Sequence, residues 1–186
     1  MEDRELISGI KNKNKQLFKD FIEQYQKLVL NICYKFVNNS DDANDVAQEV
    51  FIEAYRSIEK FREDSKISTW LYRISVNKSL NFLRDNKKTK ITDSYSGDAL
   101  KISADSLQTN TSPETNFINQ ERKEIIDKAI NSLPDRQKTA FILHKKEDLS
   151  HEEISKVLGI SVKAVESLII RAKQNLQKKL ISYYKS

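Results

Sequence analysis

SHEEISKVLGISVKAVESLIIR, residues 150–171, is the stretch on which the fold turns. Ser150 caps a short helix over 151–158, because a serine hydroxyl can accept from the free N–H groups of a first turn. Gly159 ends that helix, supplying a left-handed backbone at no steric cost. Ser161 opens a longer helix. Two helices that cross this closely need a small residue on the first, and Ser155 stands there. Ile154, Leu158, Ile160, Val165 and Leu168 then form an apolar seam. Ser161, Lys163, Ala164, Glu166, Ser167, Ile170 and Arg171 face away from the seam or beside it, as candidates to enter a major groove. Lys173 and Lys178 are placed to reach phosphates. This is a helix-turn-helix pattern. A plain antiparallel hairpin can mimic it, but the joint fit of Ser155, Gly159, Ile160 and Val165, with a basic C-terminal half of the last helix, counts against that.

Upstream, Ile125, Ile126, Ala129 and Ile130 predict a helix over about 117–132, with one apolar face. Leu133-Pro134 ends it, and Pro134 suits the first turn of a helix over about 134–146. With 151–158 and the last helix, to about Tyr183, residues 117–183 make a four-helix domain. Residues 89–116 differ in texture: rich in Ser, Thr, Asp and Asn, with isolated apolar residues and no period. Such a stretch buries too little to offset the entropy of ordering, and reads as a flexible linker. Before it, Phe18, Phe21, Ile22, Tyr25, Leu28, Val29, Ile32 and Phe36 recur at helical spacing, a helix of about five turns. Asn38 and Asn39 break it, and Ser40-Asp41-Asp42 starts the next helix, which buries Ala43, Ala47, Val50, Ala54 and Ile58. A polar loop, Arg62 to Lys66, leads to a third helix carrying Trp70, Leu71, Ile74, Leu80 and Leu83. Residues 14–88 thus form a bundle of three to four helices, and 1–13 a polar tail that frays. The fold expected is all-α, two small helical domains on a flexible linker.

Composition agrees. The chain has 186 residues, 38% hydrophobic and 32% charged, with 3 Gly and 2 Pro. That suits helices with one buried stripe and argues against a turn-rich β-sandwich. The net charge is +5, unevenly spread. Asp41, Asp42, Asp45, Glu49 and Glu53 share one stretch without a basic residue. Lys66, Arg73, Lys78, Arg84, Lys87, Lys88 and Lys90 face Asp85 alone over 66–90, and the last helix is basic too. One acidic surface and two basic ones suggest a protein partner as well as a nucleic acid. Asp45 and Glu49 have carboxylates, not cations, four positions on, so helix pairing leaves them seeking a partner elsewhere. Cys33, the one cysteine, is a core residue by its neighbours. Without a long apolar run or a hydrophobic N-terminal signal, the expectation is a cytoplasmic protein with no membrane insertion.

Beyond the hairpin, the whole chain resembles the extracytoplasmic-function (ECF) group of the sigma-70 family. The first domain carries Asp42-Ala43-Asn44-Asp45-Val46-Ala47-Gln48-Glu49-Val50-Phe51, then Phe61-Arg62, then Ser68-Thr69-Trp70-Leu71-Tyr72-Arg73-Ile74-Ser75-Val76-Asn77. The second carries Leu133-Pro134, Phe141, Leu149-Ser150-His151-Glu152-Glu153-Ile154 and Gly159-Ile160-Ser161. The resemblance implies a sigma factor: region 2 over 14–88, region 4 over 117–183, with core RNA polymerase (β′ clamp coiled coil and β flap) and promoter DNA as partners. An anti-sigma factor is a further partner that such proteins often have. By position Asp45, Gln48 and Glu49 match the surface that docks on the coiled coil. The third helix resembles the element that reads and melts the −10 region. There Phe61, the loop Glu63 to Ser68 and Tyr72 would wall a base pocket, Asn77 and Asn81 would read base edges, and Arg73, Lys78 and Arg84 would hold the backbone. Trp70 fits either core or melting. Lys163, Glu166, Ser167, Ile170, Arg171 and Lys173 match the −35 reader. Glu166 and Leu168 stand where many relatives have basic residues, so the −35 sequence does not carry over. The linker in such proteins threads the polymerase near its active centre.

Two other classes fit less well. A helix-turn-helix repressor or activator working without polymerase explains the second domain, but leaves 41–88 unemployed and shows no dimer face. An enzyme fits worse. His144 and His151 are the only histidines, at a separation that suits no common metal site, and no phosphate loop or nucleophile motif is present. His151 is expected as a solvent-facing first-turn residue. No cofactor, metal or catalytic residue is expected.

Overall fold

The computed structural model describes residues 3–61, 65–93 and 113–185. Among them every regular element is helical, and the chain divides into two compact units, Met1–Asp105 and Ser106–Ser186. The first holds α1 (Asp3–Lys11), α2 (Lys15–Val37), α3 (Ser40–Ser57), one 3-10 turn (Ile58–Lys60) and α4 (Ile67–Asp93). The second holds α5 (Pro113–Asn131), α6 (Asp135–Lys145), α7 (His151–Leu158) and α8 (Val162–Lys185).

α2 begins where the Asn14 side chain accepts from the N–H groups of Gln16 and Leu17 at 3.0 and 3.2 Å. It ends on Asn38 in the left-handed region (φ 58°), whose N–H reaches Tyr34 O. Asparagine tolerates that conformation better than most residues. The cap of α3 is Asn39, not Ser40: its side chain accepts from Asp41 N and Asp42 N. α2, α3 and α4 pack on one another around Phe21, Val29, Ile32, Cys33, Phe36, Val50 and Leu71, all buried, and Ala43, Ala47, Ala54 and Ile58 are buried as expected. Ser75 and Ser79, fully buried on α4, keep that helix close to its neighbours.

The polar-tail reading of 1–13 is corrected. Residues 3–11 are helical, and Leu6, Ile7 and Ile10 are 0%, 4% and 2% exposed against α2 and the 3-10 turn. Gly9 permits this, since a Cβ there would lie 2.0 Å from Leu17 Cδ1 and 2.8 Å from its Cβ. Asp3 accepts hydrogen bonds from Tyr25 and Gln24, tying the helix start to α2. The expected linker is also trimmed: 89–93 continue α4 and 113–116 begin α5. Residues 94–112 of that linker, and Arg62, Glu63 and Asp64 of the loop, lie outside the described residues.

In the second unit Pro134 precedes α6 as its cap, and Thr139 Oγ1 returns a bond to Asp135 O at 2.7 Å. Ile142, Leu143, Ile154, Val165 and Ala172 form the centre. Ile126, expected on the apolar face of α5, is 46% exposed, while Ala129 and Ile130 are buried. None of the described helices is long and apolar enough to cross a membrane.

Candidate polymerase and nucleic-acid interfaces

α3 carries Val46, Ala47 and Val50 inward, which turns Asp45, Gln48 and Glu49 outward together; all three are exposed. Beside them runs a groove between α2 and α3, with Ile22, Leu30, Ala47 and Phe51 on its apolar part and Gln48 at its edge. An acidic ridge beside an apolar groove suits a basic helical partner. The expectation that the acidic residues lack a partner holds less well for Glu49. Lys78 Nζ, on α4, lies 3.3 Å from Glu49 Oε2 and 3.6 Å from Glu53 Oε2. Sequence spacing along one helix could not reveal a partner supplied by the next.

On α4, Arg73, Asn77, Asn81 and Arg84 are exposed and, at steps of four, four and three residues, share one stripe. Lys78 sits on the flank of that stripe, turned toward α3. Phe61 and Tyr72, expected as pocket walls, are instead buried, at 5% and 8% exposure. Phe61 packs on Trp70 with ring centroids 5.3 Å apart, and its N–H bonds to Ile58 O. Neither ring offers a free face. Trp70, half-buried against Phe61, belongs mainly to this packing.

The helix-turn-helix forms as its residue types dictate. Ser150 and Glu153 make a reciprocal capping box, each side chain meeting the other's backbone N–H at 3.2 and 3.1 Å. Gly159 is left-handed at φ 64°. Ser155 does more than keep the crossing small: its hydroxyl donates to Ile160 O at 2.6 Å and so pins the turn. Ile154 and Val165 are buried in the seam, with Leu158, Ile160 and Leu168 half-buried. Val157, Ile169 and Leu176 are buried too, legible only from the helical period. On α8, Lys163, Glu166, Ser167, Ile170, Arg171 and Lys173 are all exposed, with Lys163, Ser167, Ile170 and Arg171 away from that seam and Glu166 and Lys173 on its flanks. Ile170 is 55% exposed, an apolar tip fit for a thymine methyl. Ser167 Oγ donates to Lys163 O at 3.0 Å, so as it stands it can accept from a base amine but must rotate to donate.

His151 is not a free solvent-facing residue. Half-buried, its Nδ1 lies 3.7 Å from Glu166 Oε1, and its ring is 5.0 Å from that of His144. The start of α7 crosses α8 at this point, which the sequence distance between the two residues conceals. Among the described residues no cluster of His, Cys, Asp and Glu could hold a metal ion.

The comparisons agree with this layout. Residues 21–89 match the family model for sigma-70 region 2, and residues 123–176 that for sigma-70 region 4. The chain is 34% identical to the RNA polymerase sigma-H factor of Pseudomonas aeruginosa over 96% of its length and 94% of that protein. It is likewise 34% identical to the ECF RNA polymerase sigma-E factor of Haemophilus influenzae, over 97% and 96% of the two chains. Among solved structures, the sigma factor RpoE from Bartonella quintana, in co-crystal with the anti-sigma factor NepR, shares the fold. Its TM-score is 0.66 at 21% identity, covering 88% of this chain and 96% of that one. Two family models in the right order and full-length relatives lead to one conclusion: the chain belongs to the sigma-70 family, in its extracytoplasmic-function group.

Proposed function

We propose a division of labour over three exposed faces of this ECF sigma factor. It binds core RNA polymerase, recognises −35 and −10 promoter elements and promotes melting; the assignment of faces to tasks is our reading. Asp45, Gln48 and Glu49 on α3 dock on the β′ clamp coiled coil, their charge meeting a basic surface. Arg73, Asn77, Lys78, Asn81 and Arg84 on α4 hold and read the −10 strand, with the buried Phe61 and Tyr72 supporting the element from within. Lys163, Glu166, Ser167, Ile170, Arg171 and Lys173 on α8 face the −35 major groove. Region 2 then spans 14–88 with α1 added to it, region 4 spans 117–183 and contacts the β flap, and the segment between joins them.

The observation that carries this is the separation of faces. Apart from Lys78, which leans toward α3, each set of residues is exposed on one side of its helix while the opposite side is core. The sigma factor family is not a family of enzymes, and we assign this chain no bond-making chemistry of its own. Its workplace is the cytoplasm, where polymerase and DNA are. By extension from the RpoE–NepR co-crystal, an anti-sigma protein is a fitting inhibitor, covering the same faces.

The test is core binding by wild type and by Asp45→Arg/Glu49→Arg, with promoter-dependent transcription by the reconstituted enzyme. The variant is expected to lose core affinity tenfold or more while keeping its helical content and its binding to −35 duplex. Wild type that ignores core yet binds duplex DNA unaided would favour a repressor or activator acting without polymerase.

A further inference from the structure

Lys78 stands between two of the faces just assigned. It leaves α4 at the edge of the −10 stripe, and its ammonium lies 3.3 Å from Glu49 and 3.6 Å from Glu53 on α3. Its side chain is 29% exposed, those of Glu49 and Glu53 59% and 42%. The cation is thus held, while both carboxylates still show to solvent. One positive charge cannot neutralise these carboxylates and a DNA phosphate together, and the charge of Glu49 is divided between Lys78 and any basic docking partner.

We infer that Lys78 is a shared residue, paired with Glu49 and Glu53 in the free protein and turned toward promoter DNA when polymerase takes Glu49. The inference rests on the docking role proposed for Glu49 and adds a coupling between two surfaces. Core binding withdraws Glu49 from Lys78, which leaves only the longer contact to Glu53 and loosens a cation beside the −10 stripe. By linkage, DNA that engages Lys78 leaves Glu49 freer for the polymerase, by the same factor. Free protein is thereby a poorer DNA binder than the same face within the holoenzyme. A pair as exposed as this one sets the size of the effect at about two- to fivefold.

The coupling has a signature of opposite signs, which a merely structural role for Lys78 does not share. Lys78→Met in the full chain, measured against core polymerase without DNA, is expected to bind about two- to fivefold tighter, because a competing cation is gone. The same variant in holoenzyme should bind promoter DNA more weakly, its log affinity falling less steeply with log salt, by about one in slope. In an E49Q/E53Q background the K78M change should leave core affinity unmoved. Tightening that persists there would mean a general field effect and overturn the pairing. Weaker or equal core binding by K78M, or an unchanged salt slope, would overturn the inference outright. Failure of the underlying reading looks different: Asp45→Arg/Glu49→Arg would then bind core as wild type does.

Discussion

Ser155 shows how much one side chain can hold. A serine at the helix crossing satisfies two demands, small volume and a donor for the carbonyl of Ile160 across the turn. Alanine meets only the first. Ser155→Ala should therefore destabilise the second unit by about 1 kcal/mol, the usual net worth of one hydrogen bond, more if Ile160 O finds no water. Thermal unfolding measures the loss, and −35 duplex affinity should fall with it as the turn loosens. An alanine variant as stable as wild type would show that size alone selects serine here. Glu166 illustrates the opposite case. Its acidity in a DNA-facing helix looks anomalous in one dimension, and His151 at 3.7 Å gives it a local partner.

At the scale of elements, α1 is the part the sequence revealed least. Gly9 fits against Leu17 with no room for a methyl group. Gly9→Ala should cost about 1–3 kcal/mol, as overpacking does, or undock α1 and expose Leu6, Ile7 and Ile10. Circular dichroism melts and hydrogen exchange of 3–11 distinguish these results from no change. Elements with many periodic residues and strong punctuation were legible. α2 has apolar residues from Phe18 to Phe36, and the helix-turn-helix has Ser150 and Gly159. α1 has three buried aliphatics in nine residues, too few to stand out among its charges. Ile126 misled for a related reason: periodicity places a residue on a face but does not say how far the neighbouring helix extends over it. The sites divide in the same way. Exposed stripes on α3, α4 and α8 follow from helical geometry, whereas the burial of Phe61 and Tyr72 and the Lys78–Glu49 pair depend on packing between elements.

At the scale of the whole molecule, the two units carry different electrostatic vulnerabilities. The first buries Cys33 completely, and loss of hydration pushes its thiol from 9.0 up to about 11. Burial, then the bond to Asp3, pushes the Tyr25 phenol well up also. A pKa raised on folding means stability that is whole at neutral pH and lost as pH climbs toward the folded value. The first unit should therefore lose about 2–3 kcal/mol between pH 9 and 11 from Cys33 alone. Trp70 is the one tryptophan in the chain, so its fluorescence follows unfolding of this unit selectively. Cys33→Val should flatten part of the pH slope. An unchanged slope would mean the thiol stays protonated equally in both states.

The burial of α1 also has a consequence in time. A helix of nine residues is shorter than the roughly 12–15 that hold together alone in water. Its partners at the 3-10 turn follow some 50 positions later, as the Lys11–Phe61 contact illustrates. At about 5–20 residues per second, a ribosome needs roughly 3–10 s to make that interval. Until then α1 has only α2 to pack against, and its cover is completed when the 3-10 turn arrives. Throughout those seconds Leu6, Ile7 and Ile10 are only partly covered, open to chaperones and proteases before any promoter is at stake.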